Sequence, residues 1–301
     1  MAAHVVDVAN VSRWFGPKPA LDGVSFQAME GHVYGLVGAN GAGKTTLIKH
    51  LLGLLRARSG SVRVFGLDPV RHLVDVLSRV GYLSEDQELP EWMRVDELMR
   101  YTQAFHANWD MAYARELLDT FALDASRKIT DLSKGMRAQV GLVAAVAHRP
   151  ALLILDEPSS GLDPVVRRDI LDAIVRTVAD DGRTVIFSSH LLEEVERLSD
   201  HVTMIHQGRV ALDGALDDVR REYQRSSLAF GTPFDRLPVL DGALAAEGGG
   251  RSWSVVHLGP MDRFRHAVAA HGGEVVQSRD ATLEEIFVAR VGRSRPGVEA
   301  A

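Results

Sequence analysis

The run Gly38-Ala39-Asn40-Gly41-Ala42-Gly43-Lys44-Thr45 fits the pattern G-x-x-x-x-G-K-[ST]. Glycines at that spacing let the chain curl until successive backbone N–H groups converge on one anion, a phosphate. Lys44 then reaches the β- and γ-phosphates of a nucleotide, and the Thr45 hydroxyl takes a place around Mg²⁺. An apolar run, Val33-Tyr34-Gly35-Leu36-Val37, precedes the loop, and Thr45 to Leu55 follows with helical spacing. The helix would add its positive N-terminal end to the anion site. The alternative, an accidental Gly-rich turn, does not account for a position between strand and helix.

Leu152-Leu153-Ile154-Leu155-Asp156-Glu157-Pro158 is a buried-strand pattern ending in two acids. Such an ending places both carboxylates at the carboxyl edge of an α/β sheet, where ligands bind. There Asp156 would hold Mg²⁺, directly or through water, and Glu157 would polarise an attacking water. The plainer reading is that acids at a strand end start a loop; the phosphate loop upstream favours the chemical one. Phe187-Ser188-Ser189-His190 puts a histidine at the end of the next strand, where a γ-phosphate sensor is needed. A lone histidine there is otherwise more often structural.

The elements that must position these groups are short apolar strands feeding helices. Val33 to Val37, Val80 to Leu83, Leu152 to Leu155, Thr184 to Phe187 and Val202 to Ile205 read as strands of a buried, largely parallel sheet. Between the second and third, Val95 to His106, Met111 to Phe121 and Gly135 to Ala147 read as amphipathic helices, a helical insert over about 85–147. After Gly208 and Gly214 the pattern changes to strands at 226–230, 253–258 and 274–278 with a helix near 262–270. Gly248-Gly249-Gly250 reads as a turn or short linker. Thr282 and Glu285 have capping-box spacing before a last helix from about 283 with a Leu283, Ile286, Phe287 stripe. The expected organisation is residues 1–214, an accessory α+β domain at 215–292, and a polar tail at 293–301.

Composition narrows the function classes. The chain has 301 residues, 46 % hydrophobic and 25 % charged, which is ordinary globular usage and excludes a disordered or fibrous protein. Its 34 Lys and Arg against 40 Asp and Glu give a net charge of -6, arguing against coating nucleic acid or anionic lipid. Without cysteine, disulfides, thiolate metal sites and a cysteine nucleophile are excluded. Met1 to Val11 lacks a signal-peptide pattern, and no apolar run is long enough to cross a bilayer.

Taken in order over residues 5–214, these segments resemble the nucleotide-binding subunit of an ATP-binding-cassette (ABC) transporter. The family's L-S-G-G-Q signature has its counterpart in Leu132-Ser133-Lys134-Gly135-Met136, and its D-loop in Ser159-Ser160-Gly161-Leu162-Asp163. His190 resembles the switch histidine, and Phe15 before Gly16 the aromatic that stacks on adenine, with Trp14 as the neighbouring alternative. The resemblance implies a P-loop NTPase core, α/β with a mostly parallel sheet, a helical insert subdomain and the small C-terminal α+β accessory domain. It implies ATP and Mg²⁺ as cofactors, with Phe15, Gly38, Asn40, Gly41, Ala42, Gly43, Lys44, Thr45 and Thr46 holding the nucleotide. Ser133, Gly135 and Asp163 join that set across a two-chain sandwich. Lys44, Glu157 and His190 are the implied catalytic residues, and Thr45, Asp156 and Glu85 the implied metal ligands.

Three positions depart from the family pattern. Lys134 and Met136 stand where Gly and Gln are usual; Ser133, a helix N-cap, and Gly135 are kept. Lys134 either brings charge near the phosphate or points to solvent, and we favour solvent. Glu85 stands at the glutamine-loop position, with Gln87 two residues on as the fallback. Trp92 and Trp109 are equally open to docking on a partner and to local core packing.

The implied partners are a second ATPase subunit and integral membrane permease subunits of exporter type, touched by the region from Glu85 to Met111. The implied location is cytoplasmic, peripheral on the inner face of the cell membrane, with no direct nucleic-acid partner. The competing class is a soluble ABC-type ATPase acting on ribosomes or nucleic acid; one cassette, no sustained heptads and the acidic balance argue against it. The accessory domain is open to a regulatory, ligand-binding role and to a dimer-stabilising one.

Overall fold

A computed structural model of the chain describes residues 4–86 and 88–292, without the side chains of 176–181. The fallback residue Gln87 and the expected polar tail, 293–301, lie outside the described residues. The chain divides between Val210 and Ala211 into two compact units.

The first unit begins with β1 (His4–Phe15) and β2 (Lys18–Met29), then β3 (Val33–Val37), α1 (Lys44–Leu51) and β4 (Ser59–Val64). α2 (Leu73–Leu77) and β5 (Val80–Leu83) lead to α3 (Val95–Gln103), α4 (Met111–Thr120) and α5 (Lys134–Val146). β6 (Leu152–Asp156), α6 (Pro164–Asp181), β7 (Thr184–Ser189), α7 (Leu192–Leu198) and β8 (His201–His206) follow, and β9 (Arg209–Ala215) runs across the division. A six-stranded sheet runs in the order β5-β6-β7-β3-β8-β9, and the β5/β6, β6/β7, β7/β3 and β3/β8 pairs are parallel. All five predicted strands are in it, each fully or nearly fully buried, because helices cover both faces of a parallel sheet.

The order places β7 between β6 and β3, so three adjacent strands release their chains at one carboxyl edge. β3 has neighbours from later in the chain on both sides, the kind of position where open α/β sheets bind ligands. A separate antiparallel sheet, β2-β1-β4, was not anticipated. Its strands alternate apolar and polar residues with several register shifts, so no continuous apolar run marks them. Val6, Val8, Leu21 and Phe26 from this sheet meet Leu47, Ile48 and Leu51 of α1 and Leu36, Ile154 and Ile186 of the large sheet in one core. Each fully buried Leu or Ile there contributes roughly 1.5–3 kcal/mol.

The helical insert has its own core, Val95, Leu98, Met99, Ala114, Leu118, Ile129 and Val143. Trp109 packs against it, in line with the core-packing reading, whereas Trp92 is 77 % exposed.

The second unit comprises α8 (Leu216–Glu222), β10 (Tyr223–Phe234), β11 (Ala243–Leu258), α9 (Met261–Ala269), β12 (Gly273–Asp280) and α10 (Leu283–Val291). β10 pairs antiparallel with both β11 and β12. β11 doubles back: the Leu258 N–H donates to Gly242 O at 2.9 Å, and Gly248 lies against the Ser252 carbonyl. Gly248-Gly249-Gly250 is therefore a turn inside β11, not a linker between elements. Thr282 and Glu285 form the expected capping box at the start of α10.

Candidate functional site

The loop between β3 and α1 is clamped from both sides. The Gly208 N–H donates to Ala42 O at 2.9 Å, and the Asp22 N–H donates to Gly208 O at 2.8 Å. A Cβ on Gly38 would stand 2.3 Å from the Ile205 carbonyl oxygen, so that position admits only glycine without a backbone shift. Gly43, at φ +120°, is the N-cap of α1 and offers no side-chain acceptor, which leaves the first N–H groups of the helix open to an external anion. Lys49 and His50 in the last turn complement the opposite end of the helix. Asn40 and Gly41 are exposed, Gly38, Ala42 and Gly43 are buried, and Thr45 and Thr46 are half-buried.

Lys44 turns back over its own loop. Its Nζ donates to Gly38 O at 2.7 Å and stands 3.0 Å from Glu157 Oε1, with both side chains 6 % exposed. Glu157 Oε2 lies 2.7 Å from His190 Nδ1 and accepts from the His190 backbone N–H at 3.3 Å. Glu157 adopts φ +49°, an uncommon conformation for glutamate, immediately after β6. Strand ends from β3, β6 and β7 thus deliver an ammonium, a carboxylate and an imidazole in one line.

Asp156 is 2 % exposed and its Oδ1 accepts from the Ser188 hydroxyl at 2.6 Å. The same hydroxyl accepts from the Glu157 N–H at 2.8 Å. Ser188, which sequence reasoning passed over as a neighbour of His190, therefore fixes both acids. The signal was available: a hydroxyl at the end of a buried strand needs partners. Burial pushes the Tyr82 phenol up to about 12, with the Asp156 and Asp86 carboxylates adding to the shift.

Among the described residues, no group of three or more His, Asp or Glu is arranged to hold an ion unaided. One hydroxyl (Thr45) and one buried carboxylate (Asp156) are hard oxygen donors of the sort that bind Mg²⁺ together with water and phosphate oxygens. The donor set fits that ion.

The remaining predicted residues lie on other elements. Phe15 is 54 % exposed at the end of β1, with the Arg13 guanidinium 5.1 Å from its ring centre, and Trp14 beside it is half-buried. Glu85 is exposed in the turn after β5. Ser133 is the N-cap of α5, accepting from the Met136 N–H at 3.2 Å. Gly135 packs against Val166, where a Cβ would come within 3.0 Å. Asp163 Oδ1 accepts from the N–H groups of Val165 and Val166 at the start of α6. Lys134 is exposed, in line with the solvent reading, with its Nζ passing close to Gly161 of the same chain. Among the described residues, no hydrogen bond or ion pair links Phe15, Glu85, Ser133, Gly135 or Asp163 to the Lys44–Glu157–His190 line.

Comparison with known proteins gives the family. The sequence profile of the family described as "ABC transporter" matches residues 21–160. The daunorubicin resistance ATP-binding protein DrrA3 of Streptomyces coeruleorubidus is 32 % identical, over 100 % of both chains. The ABC transporter ATP-binding protein YtrB of Bacillus subtilis (strain 168) is 27 % identical, over 97 % of this chain and 99 % of its own. A solved structure titled "Structure of ATP binding subunit of ABC transporter" superposes with a TM-score of 0.66 at 31 % identity, covering 72 % of this chain and 92 % of that one.

Proposed function

The chain belongs to the ABC transporter family of ATP-binding proteins, and from that premise we propose that it is the ATP-hydrolysing subunit of an exporter-type transporter. Mg-ATP binding closes a sandwich of two such chains, and hydrolysis with release reopens it, driving separate membrane permease subunits. The export direction draws on a relative named as a Nod factor export ATP-binding protein, that of Burkholderia lata, 34 % identical over 71 % of this chain. The observation that carries the reading is the unbroken Lys44–Glu157–His190 line at the mouth of the phosphate loop.

Each residue in the line has a task in water attack on a γ-phosphate, a reaction governed by positioning and electrostatics. The open N–H groups of the Gly38–Thr46 loop cradle the β-phosphate, and Lys44 exchanges Glu157 for the β/γ-phosphate oxygens. Glu157, relieved of that ion pair, accepts a hydrogen bond from the attacking water. His190 holds the Glu157 carboxylate in place through Nδ1 and meets the γ-phosphate. Thr45 and Asp156 would hold Mg²⁺, with Glu85 as the third member of the set, and the ion would supply charge neutralisation at the phosphates. Phe15 stacks on the adenine. Ser133, Gly135 and Asp163 serve the site formed with the second chain.

No helix among the described residues is long and apolar enough to cross a membrane, so the stroke has to be passed on. We place the permease contact on the insert, where Trp92, Tyr101 and Phe105 are exposed aromatics. The protein would sit peripherally on the cytoplasmic face of the membrane. In this reading residues 1–214 form the ATPase domain and 215–292 an accessory domain.

The test is Glu157→Gln, which should keep Mg-ATP binding, lower turnover by at least about a hundredfold and trap the closed dimer. Turnover near the wild-type rate would overturn the role of Glu157. The same variant, tagged and recovered with Mg-ATP from solubilised host membranes, should bring a multi-span protein in stoichiometric amount. Recovery of ribosomes or nucleic acid without a membrane partner would overturn the transporter reading.

A further inference from the structure

Glu194, in the first turn of α7, is a glutamate only 6 % exposed. One of its oxygens, Oε2, accepts two hydrogen bonds, from Ser159 Oγ at 2.8 Å and from Ser189 Oγ at 2.9 Å. Both serines are 1 % exposed. Ser159 follows Glu157 by two residues in a turn closed by the Ser160 N–H to Glu157 O bond of 3.1 Å. Ser189 directly precedes His190, and its hydroxyl also accepts from the Leu191 N–H at 3.0 Å.

A closed circuit results. It runs from Glu157 through His190 to Ser189, across the Glu194 carboxylate to Ser159, and back along the chain to Glu157. The backbone leaving the acid and the backbone arriving at the histidine are tied to the same oxygen atom. The other oxygen, Oε1, lies 3.6 Å from Arg167 Nε on α6, a weaker attachment to a half-exposed side chain.

We propose that Glu194 is a positioning residue for the Glu157–His190 pair, setting the rate of γ-phosphate hydrolysis without touching nucleotide. The inference rests on the ATPase reading given above. Without the carboxylate, the Ser159 hydroxyl loses its acceptor, the Ser189 hydroxyl is left with the Leu191 carbonyl at 3.3 Å, and the two segments lose their common anchor. A catalytic pair displaced by a fraction of an ångström loses rate more than affinity, because the phosphate loop that binds nucleotide is untouched.

The test is steady-state hydrolysis of Mg-ATP by the full chain, with melting temperature measured alongside. Glu194→Ala should lower kcat by about tenfold, with KM within about twofold of wild type. Glu194→Gln should recover kcat to within about threefold, since an amide oxygen in the place of Oε2 accepts both hydroxyls. Arg167→Ala, which removes the ion pair and a long 3.5 Å bond from Arg167 Nη2 to Leu162 O, should leave kcat within about twofold. The double variant Ser159→Ala/Ser189→Ala should reproduce the loss with Glu194 and Arg167 intact, and it decides the matter if Glu194→Ala does not fold.

Wild-type kcat in Glu194→Ala or in the double-serine variant would overturn the proposal. So would a Gln variant as slow as the Ala variant with Arg167→Ala sharing the loss, which would locate the effect in the ion pair to α6. A loss confined to KM would also overturn it. Wild-type protein with no turnover defeats the ATPase reading and this inference together. Wild-type turnover that Glu157→Gln abolishes and Glu194→Ala leaves intact defeats this inference alone.

Discussion

Lys44 Nζ and Glu157 Oε1 stand 3.0 Å apart at the carboxyl edge of the sheet, each side chain 6 % exposed. The pair joins two roles that sequence motifs assign separately, phosphate binding and water activation. A buried lysine and a buried glutamate each offset the desolvation cost of the other. Glu157 also has His190 at 2.7 Å, so its carboxylate keeps a partner whenever Lys44 turns to phosphate.

Removing Lys44 should therefore have two measurable effects. Lys44→Ala should weaken Mg-ATP binding by at least about tenfold in calorimetry, since the loop loses its only cation on the phosphates. It should also cost roughly 2–4 kcal/mol of stability in denaturant unfolding, because Glu157 is left buried with one partner fewer. Adding Glu157→Gln to Lys44→Ala should recover stability while binding stays weak. Additive stability losses, or ATP affinity equal to wild type in Lys44→Ala, would contradict the coupling.

The glycines of the loop should separate by mechanism. A Cβ on Gly38 would stand 2.3 Å from the Ile205 carbonyl, and one on Gly43 would stand 2.5 Å from the Ala20 carbonyl at φ +120°. Gly41 has φ +78° and open space around it. Gly41→Ala should cost only the left-handed strain of about 1–2 kcal/mol. Gly38→Ala and Gly43→Ala must move backbone, so each should cost more and should abolish nucleotide binding as well. A Gly41 variant as impaired in binding as these two would show that local strain, not the clamp by β2 and β8, dominates the loop.

How far the sequence carries the reading depends on what each element buries. β3, β6, β7 and β8 are legible because both faces of a parallel sheet are apolar and leave continuous runs. β1 and β2 carry Asp7, Asn10, Arg13, Asp22 and Gln27 between their apolar residues and shift register repeatedly, so no period survives to be read. In the site, Lys44, Asp156, Glu157 and His190 announce themselves by motif. Glu194 does not, because a glutamate in the first turn of a helix ordinarily faces solvent and favours the helix dipole. Only the tertiary structure brings Ser159 and Ser189 onto it. Ser188 was hidden for the same reason: its partners Asp156 and Glu157 are 32 and 31 residues away.

Among the buried histidines, His148 and His257 give one acid-sensitive group to each unit. In the first unit, His148 stacks on His106 with ring centres 3.8 Å apart, and its Nε2 lies 3.2 Å from Val80 O. Burial, with His106 and Arg183 adding to it, pulls His148 down to about 4 against the opposing bond from Val80. In the second unit, His257 stacks on Phe264 at 3.6 Å and pairs with Ser226 Oγ at 3.0 Å, and burial pulls it down to about 4 as well. An unfolded chain would protonate both near 6.5, so between about pH 6.5 and 4 the unfolded state binds more protons and stability falls as pH falls. Each histidine should cost about 2 kcal/mol by pH 5. Glu285 extends the effect further down in the second unit. Burial would raise its carboxyl, but hydrogen bonds from Arg279, the Thr282 N–H and Arg225 prevail and hold it at about 2. Its contribution is present above the usual carboxylate range and is lost only as pH falls towards 2. Melting temperature followed from pH 7.5 to 4.5 should drop mainly below pH 6.5, and His148→Asn and His257→Asn should each flatten part of that slope. A melting temperature constant over this range, or slopes unchanged in both variants, would mean the imidazoles are protonated in the folded protein.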